Sequence, residues 1–244
     1  MANDRLFAQD RDGPFRFDEE VAEVFDDMIR RSVPGYSALV QMVEVFANRY
    51  AQSGSELYDL GCSLGAGVVA MRRGAGARPV RIVGVDNSAP MLERCRLRLT
   101  QDETEWAAPG VSVELRCDDV RQTPVVDASL VVMNFTLQFV PKAERNVLIE
   151  RVYQALRPGG ALLLSEKITF EDAREAAFCE DLHDGFRKHN GYTEMEISRK
   201  RAALEQVLVP EPEAIHRARL AQAGFAMTYP WLRCGNFASW LAVK

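Results

Sequence analysis

The sequence has few of the features that mark exported or metal-binding proteins. Its 244 residues include five cysteines, which are scattered along the chain and form no Cys-x-x-Cys pair. An odd, scattered set argues against a disulfide framework or a zinc site, so we expect no metal and a reducing, cytoplasmic location. The start of the chain, MANDRLFAQDRDGPFRFDEE, is charged and contains no apolar core segment, which argues against a signal peptide.

Long apolar runs and an excess of basic residues are absent as well. No uninterrupted apolar stretch approaches the roughly 18 residues of a membrane span, so we expect no contact with a membrane. The chain carries 30 Lys and Arg against 35 Asp and Glu, a formal net charge of -5. Proteins that bind a nucleic-acid backbone usually have an excess of basic residues, so no direct nucleic-acid binding is expected.

The pattern that is present alternates short apolar runs with amphipathic stretches. VRIVGVDNS is an apolar run that ends in an acid, and SAPMLERCRLRLTQ follows it as a helix with Ser88 as the expected N-cap. Strict alternation of this kind predicts right-handed βαβ units and a doubly wound, mostly parallel α/β sheet. AMTYPWLRC and FASWLAVK, near the C-terminus, predict an antiparallel hairpin at the sheet edge.

Two helical segments lie outside this alternation. One precedes the first strand, over about residues 18–52, and follows an irregular arm of residues 1–17. The other is a helical insertion over about residues 170–209, expected to form two helices around HNGYTE. No internal repeat or clear linker interrupts the chain, so residues 1–244 are expected to form a single domain.

The stretch YDLGCSLGAG contains a glycine-rich turn after the first predicted strand, where ligands bind in such sheets. Gly61, Gly65 and Gly67 have the spacing G-x-x-x-G-x-G, which does not match the dinucleotide fingerprint. No lysine follows Gly67, so the turn is not a P-loop either. What remains is D-x-G-x-x-x-G, beginning at Asp59. A tight strand-to-helix turn without a ligand is the alternative interpretation.

Two further acids follow the next two strands. Asp86 ends VGVDNS, where a carboxylate can accept hydrogen bonds from both hydroxyls of a ribose, and the adjoining Asn87 belongs to the same predicted site. Asp119 follows the third strand, where its carboxylate and the N–H of Val120 can read the amino and ring nitrogens of adenine. The alternatives are an N-cap for Asp86 and a solvated turn for Asp119. Three polar strand ends in this order favour an adenosine-containing ligand.

The glycine turn resembles the first motif of class I S-adenosylmethionine-dependent methyltransferases, with Ser63 in place of the middle glycine. Further stretches are more specific: VAEVFDDMIRRSVPGYS, DNSAPMLERCR, NFTLQF, RPGGALLLSEK and GYTEMEISRKRAALE. Together they resemble the carboxy-S-adenosylmethionine synthases, from about residue 15 to the C-terminus. The departures are the N-terminal arm and the loop RRGAGARP.

This resemblance implies an activity. In that family S-adenosylmethionine is a substrate, its S-methyl carbon is carboxylated, prephenate supplies the carboxyl group and phenylpyruvate is the by-product. The product serves wobble-uridine modification of tRNA, so a hand-over to a tRNA carboxymethyltransferase is expected. The resemblance also implies a homodimer.

The resemblance assigns residues to the ligand as well. Arg201, in ISRKRAALE, stands at the position of the family's carboxylate-binding arginine, whose planar fork suits a carboxylate. Tyr36 and Asn134 match contacts at the methionine end of the ligand. The glycine turn is expected to contact the ligand mainly through backbone groups of Gly61, Cys62 and Ser63.

Each assignment has a structural alternative. The run RKR is typical of a solvated helix face, an interpretation we keep for Arg199 and Lys200 but not for Arg201. Tyr36 could pack in the core. We expect Cys62 to be structural, because no histidine or acid is clearly placed to activate its thiol. The histidines show no ligand spacing and are expected on the surface or in packing roles: His183, His189 and His216.

Two other functions stay open on these grounds. One is an ordinary methyltransferase that acts on a small molecule or a tRNA. The other is a non-catalytic, S-adenosylmethionine-binding partner of a tRNA-modifying enzyme. The first predicts methyl transfer, and the second predicts binding without turnover.

Overall fold

A mixed sheet forms the centre of the computed structural model, which describes residues 4–9, 13, 15–106 and 108–244. Its strands are β1 (Glu56–Leu60), β2 (Val80–Asp86), β3 (Val111–Cys117), β4 (Ala128–Asn134), β5 (Leu156–Thr169), β6 (Glu211–Pro212), β7 (Met227–Cys234) and β8 (Phe237–Val243). The helices are α1 (Glu19–Ser32), α2 (Tyr36–Tyr50), α3 (Ala66–Ala75), α4 (Ala89–Glu105), α5 (Lys142–Ala155), α6 (Ala173–His189), α7 (Glu194–Leu204) and α8 (Glu213–Ala223).

The strand order is β3-β2-β1-β4-β5-β8-β7. Strands β1 to β5 pair in parallel, and β8 runs antiparallel to both β5 and β7. The predicted doubly wound sheet and its antiparallel C-terminal hairpin are therefore confirmed. The order reverses between β1 and β4, and that switch point is where open α/β sheets bind ligands. Strand β6 was not predicted, and it pairs with the end of β5.

Helices cover both faces of the sheet because its strands are apolar on both sides. In β1, Tyr58 and Leu60 pack in one core with side chains of α5 and α8. Their neighbour Leu57 points the other way, into a second core with α2, α3 and α4. The alternation of side chains along a strand thus places one strand between two hydrophobic layers.

Capping side chains fix where the helices next to the site begin. The Ser88 hydroxyl accepts from Met91 N at 3.3 Å and caps α4, as predicted. Asp18 accepts from Val21 N at 3.1 Å and caps α1. Because both helices start at defined residues, the loops before them have fixed positions at the edge of the sheet.

The two segments outside the alternation are helical, as expected. The N-terminal helices are α1 and α2, and the insertion consists of α6 and α7. The described part of the arm before α1 contains no helix or strand, but Phe7 and Phe15 are buried in a third core with Leu64 and Met91. The arm is therefore packed against the glycine turn; the rest of it lies outside the described residues.

Among the helices of the described ranges, none is both long and apolar enough to cross a membrane.

Candidate functional site

A cavity of about 610 Å³ lies at the carboxyl ends of the parallel strands. Helices α1, α2, α6 and α7 contribute to its walls. It is lined by every residue for which the sequence predicted a ligand contact: Tyr36, Gly61, Cys62, Ser63, Asp86, Asn87, Asp119, Val120, Asn134 and Arg201. Residues distant in sequence thus meet around a single space.

The glycine turn after β1 needs unusual backbone angles. Gly61 and Gly65 have φ of 88° and 79°. A Cβ on Gly61 would collide with the Thr136 side chain, and one on Gly65 would collide with Cys95. Ser63 also has a positive φ, 47°, although it is not glycine. Its N–H donates to Asp86 Oδ2 at 2.9 Å, so the carboxylate of β2 holds the turn in this conformation.

Asp86 makes a second backbone contact. Its Oδ1 accepts from Ser88 N at 2.9 Å. The N-cap of α4 is Ser88, so the alternative interpretation of Asp86 as that N-cap is wrong. Burial raises the pKa of Asp86, while the N–H donors, Ser88 first, act to lower it. The carboxylate thus bridges the glycine turn and the start of α4 and faces the cavity.

Asp59 lies beneath the turn and is buried. Its burial and the charge of Asp86 raise its pKa to about 7, while a hydrogen bond from the Val68 N–H acts to lower it. A Cβ on Gly67 would collide with the Asp59 carboxylate, which explains why glycine stands at the first turn of α3. The buried Asp59 carboxylate therefore packs against Gly67 and leaves no space for a side chain there.

Asp119 is less free than the sequence predicted. Its Oδ2 pairs with Arg121 Nη2 at 2.6 Å, and its Oδ1 accepts from Arg121 N at 2.8 Å. The guanidinium of Arg121 is the main cause that lowers the pKa of Asp119. An adenine amino group would have to share this carboxylate with Arg121, which also lines the cavity. The alternative interpretation of Asp119 as a solvated turn did not include this ion pair.

Asn134 and Tyr36 stand where β4 and α2 meet the cavity. Asn134 Oδ1 accepts from Ser165 Oγ at 2.8 Å, which fixes the orientation of the amide. Tyr36 is the first residue of α2 and is half-buried. Burial, with the charge of Asp26, raises its pKa well above the usual value, so its phenol stays a hydrogen-bond donor. Both side chains can therefore offer polar contacts to a ligand.

Arg201 lines the cavity but is already paired. Its Nη2 lies 2.7 Å from Asp184 Oδ2 and 3.0 Å from Glu180 Oε1, and its side chain is 49% exposed. These two acids belong to α6, so the ion pairs join the helices of the insertion. The guanidinium expected to bind a ligand carboxylate therefore lines the cavity, but it forms ion pairs with two acids of the protein.

Besides Arg201, five cations line the cavity, none of which was assigned to the ligand from the sequence: Arg98, Arg121, Lys167, Arg187 and Lys200. The prediction that Lys200 lies on a solvated face is wrong, because it is 7% exposed and donates to Ser32 Oγ at 2.8 Å. Its spacing from Ile197 and Leu204 is that of one helix face, a pattern that could have placed it inward.

Cys62 and two of the histidines are buried in packing roles. The Cys62 thiol is hydrogen-bonded to Cys95, and this bond and its burial raise its pKa, so it stays a thiol. His183 Nε2 contacts the Ser32 carbonyl at 2.8 Å and its ring packs on Phe237. His216 stacks on Trp240, and His189 is exposed. Within the described ranges, no group of three or more His, Cys, Asp or Glu side chains could hold a metal ion.

Known proteins resemble this chain over different extents. A family model described as a methyltransferase domain matches residues 57–160. The carboxy-S-adenosyl-L-methionine synthase of Actinobacillus pleuropneumoniae serotype 5b is 48% identical over 246 residues, covering 100% of both chains. The enzyme of that name from Marinobacter nauticus is 50% identical, covering 99% of this chain and 95% of its own.

Solved structures share the fold at lower identity. Human N-acetylserotonin methyltransferase, in complex with S-adenosylmethionine, superposes with a TM-score of 0.57 and 16% identity. The match covers 93% of this chain and 55% of that one. The fold is thus that of class I methyltransferases, and near-half identity over the full length shows that the chain belongs to the carboxy-S-adenosyl-L-methionine synthase family.

Proposed function

We propose that the protein carboxylates the S-methyl carbon of S-adenosylmethionine with prephenate as the carboxyl source. The conversion of S-adenosylmethionine to its carboxy form, and with it the enzymatic character of the protein, follows from family membership. The observation that carries the choice of prephenate is the group of four cations on the cavity wall beyond β4: Lys167, Arg187, Lys200 and Arg201. A dicarboxylate is the kind of second substrate that such a wall attracts.

S-adenosylmethionine fits the other end of the same cavity. We assign the ribose to Asp86 and Asn87, and the adenine to Asp119 and Val120. We assign the amino-acid part to the backbone of Gly61, Cys62 and Ser63, which line the cavity. Tyr36 and Asn134 lie at the sulfonium end. This order follows the order of the strands, β2 and β3 on one side of β1 and β4 on the other.

The chemistry balances without a further co-reactant. The bond from the ring of prephenate to its carboxylate breaks, the electron pair makes the ring aromatic, and the ring hydroxyl leaves as hydroxide. That base takes a proton from the S-methyl group, which the sulfonium acidifies, and the carbanion attacks the released carbon dioxide. The products are carboxy-S-adenosylmethionine, phenylpyruvate and water.

The protein would mainly hold the substrates together and keep water out. Aromatic side chains from distant parts of the chain support this task. Phe17 packs edge-on against Phe139 at 5.3 Å and against Phe15 at 5.0 Å, and all three line the cavity. No general acid or base of the protein is needed, since the substrate supplies the base.

Assembly and downstream use complete the proposal. We propose a homodimer in the cytoplasm that hands its product to a tRNA carboxymethyltransferase for wobble-uridine modification. An apolar strip on α6 supports the dimer, since Phe178 and Leu182 are 66% and 51% exposed one helical turn apart. Light scattering of the purified protein tests this, and a monomeric mass would contradict it.

Incubation of the protein with S-adenosylmethionine and prephenate tests the activity. We expect phenylpyruvate to appear in an amount equal to the carboxylated product. Formation of S-adenosylhomocysteine instead would support an ordinary methyltransferase. Binding of S-adenosylmethionine without any turnover would support the non-catalytic partner. Either result would contradict the proposal.

A further inference from the structure

Three elements bring positive charge to one end of the cavity. Lys167 comes from the end of β5, Arg187 from α6 and Lys200 from α7. Arg187 and Lys200 are only 6% and 7% exposed. Burial lowers the pKa of both and also that of Lys167, which reflects the cost of holding these charges away from water.

The acids around this cluster lie outside the cavity wall. Asp184 pairs with Arg187 Nη2 at 2.5 Å, and Glu180 pairs with Arg201, but neither acid lines the cavity. Asp4, whose charge acts on Lys200, accepts from the Tyr192 hydroxyl and does not line it either. The three cations therefore line the cavity, whereas these acids do not.

Two of these cations have a charged or polar group without a partner among the residues that the structure describes. Arg187 Nε is buried and has no hydrogen-bond partner among the residues that the structure describes. The Lys167 ammonium makes no ion pair with any of those residues, although its backbone N–H bonds to Gln138 Oε1 at 3.1 Å. Buried donors are almost always paired in native proteins. The Nε–H of Arg187, a residue of the cavity wall, is therefore free to donate to an anion.

The cluster adjoins the place assigned to the sulfonium. Phe135, next to Asn134, packs on Phe237 with ring centroids 5.8 Å apart. Phe237 packs in turn on His183 at 4.9 Å, and His183 Nδ1 lies 3.3 Å from Arg187 Nη2. A continuous wall of rings thus leads from the end of β4 to the cations, and it suits a planar, six-membered ring.

The charge of the co-substrate decides which of its carboxylates the cluster holds. The carboxylate on the ring loses its negative charge when it departs as carbon dioxide. Strong ion pairs to that group would stabilise the ground state more than the transition state and slow the reaction. The carboxylate of the 2-oxo acid side chain keeps its charge throughout, so ion pairs to it cost nothing in rate.

We propose that Lys167, Arg187 and Lys200 form an anion subsite, separate from Arg201, that binds the retained 2-oxo acid carboxylate of the co-substrate. This inference rests on the proposed function, because it names how the second substrate of that reaction is held. The ring carboxylate then points away from the cations, toward the S-methyl group. Phenylpyruvate, the by-product, keeps this carboxylate and is therefore held by the same subsite until it is released.

The test is Lys200→Met, which removes the charge but keeps the length of the side chain. We expect the KM for prephenate to rise about 10- to 100-fold, the effect of one lost charge-assisted hydrogen bond. The inhibition constant of phenylpyruvate should rise by a similar factor, and the Kd for S-adenosylmethionine should not change. Lys188→Met is the matched control, since Lys188 lies on the outer face of α6 and pairs with Glu194 at 2.7 Å.

Two results for Lys200→Met would contradict the proposal. A raised KM with unchanged phenylpyruvate inhibition would overturn the assignment to the retained carboxylate. An unchanged KM in a folded variant would overturn the subsite. If the wild-type protein forms no phenylpyruvate, the proposed function fails, and calorimetric titration of phenylpyruvate into wild type and variant still decides the subsite. Should Lys200→Met not fold, Lys167→Met is used, since Lys167 lines the same cavity and its backbone N–H, which the substitution keeps, makes the bond to Gln138.

Discussion

Single carboxyl groups organise much of the candidate site. Asp86 uses one oxygen for Ser63 N and the other for Ser88 N, both at 2.9 Å. A carboxylate has about four acceptor positions, and the N–H of Asn87 also bonds to this group, so about one position remains for a ribose hydroxyl. The same side chain therefore fixes the backbone of the glycine turn and lines the cavity, and we expect its loss to affect both the turn and ligand binding.

The substitution Asp86→Asn tests this double role. An amide can accept on its oxygen, but its NH₂ group would face a backbone N–H. We expect the Kd for S-adenosylmethionine to rise about 10- to 100-fold, measured by calorimetry. Asp172→Asn is the control, because Asp172 is the exposed N-cap of α6 and asparagine caps equally well. Wild-type affinity in Asp86→Asn would contradict the assignment.

The charge of Lys200 should make catalysis pH-dependent. Burial is the main cause that lowers the pKa of Lys200 to about 8. The charges of Arg187 and Arg31 lower it further, while those of Asp4 and Asp27 act to raise it. We expect kcat/KM for prephenate to fall as the pH rises above about 8, because the ammonium that binds the carboxylate is lost. In Lys200→Met this decline should disappear; a decline of equal size would contradict the assignment.

Stability should respond to pH in the opposite sense. The unfolded chain keeps the Lys200 proton up to the ordinary lysine pKa, whereas the folded protein releases it near 8. Between these values the unfolded state binds more protons, so this group makes the free energy of unfolding rise with pH. A loss of activity above pH 8 that results from Lys200 is therefore not a loss of fold.

The residues found from sequence and those missed differ in one respect. Asp86 and Asn134 follow strands, and parallel strands end at the same edge of a sheet, so their meeting could be predicted. Lys200 belongs to a charge run on a helix whose packing partner was unknown. Its burial depends on Ser32 at the end of α1, 168 positions away, a contact that local sequence does not encode.

At the scale of elements, the short 3-10 turn Leu137–Phe139 after β4 is held by a side chain of β5. Glu166 is fully buried, and its two oxygens accept from Leu137 N and Gln138 N at 2.9 Å each. Burial raises its pKa to about 8, while the two N–H donors act to lower it. This contact fixes the segment that carries Gln138 and Phe139 on the cavity wall.

Glu166→Gln should loosen this segment. The amide can satisfy one of the two N–H groups but presents its own NH₂ to the other. Because the pKa of Glu166 is raised to about 8, the difference is measured above that pH, where the carboxylate is ionised: we expect the free energy of unfolding in urea to fall by about 1–3 kcal/mol. Ser129→Ala is a control for loss of a buried polar group, since the Ser129 hydroxyl bonds to Ser55 Oγ and Gln52 N and does not line the cavity. No difference between Glu166→Gln and wild type would show that the turn does not depend on Glu166.

Helix α7 gives a second test through Arg201→Ala. The variant should lose affinity for carboxy-S-adenosylmethionine but keep that for S-adenosylmethionine, because only the former has the added carboxylate. Its stability should change by less than about 1 kcal/mol, since the ion pairs to Asp184 and Glu180 are partly exposed. Arg174→Ala, on the exposed start of α6, is the control. Equal retention of both ligands would contradict the assigned role.

Most helices and strands could be predicted because their apolar periodicity is long and regular. The exceptions are short. Strand β6 has two residues that pair with Ile168 and Thr169 of β5, and the 3-10 turn depends on Glu166. In both cases a contact from another element, rather than a local pattern, creates the structure.

At the scale of the whole molecule, the N-terminal segment joins the sheet to the insertion. Phe15 N donates to the carbonyl of Ala203 in α7, and the Phe17 carbonyl accepts from Ser88 at the start of α4. Arg31 Nε donates to the carbonyl of Asn190 between α6 and α7 at 2.7 Å. We propose on this basis that the chain folds as one domain, in which binding either substrate restrains all three parts.

The central claim is that prephenate supplies the carboxyl group. The most direct test is mass spectrometry of the nucleoside product after incubation with S-adenosylmethionine and prephenate labelled with ¹³C in its ring carboxylate. The account predicts a product heavier than S-adenosylmethionine by one labelled carbon dioxide unit, with unlabelled phenylpyruvate in equal amount. Carboxy-S-adenosylmethionine without the label, or S-adenosylhomocysteine in its place, would contradict it.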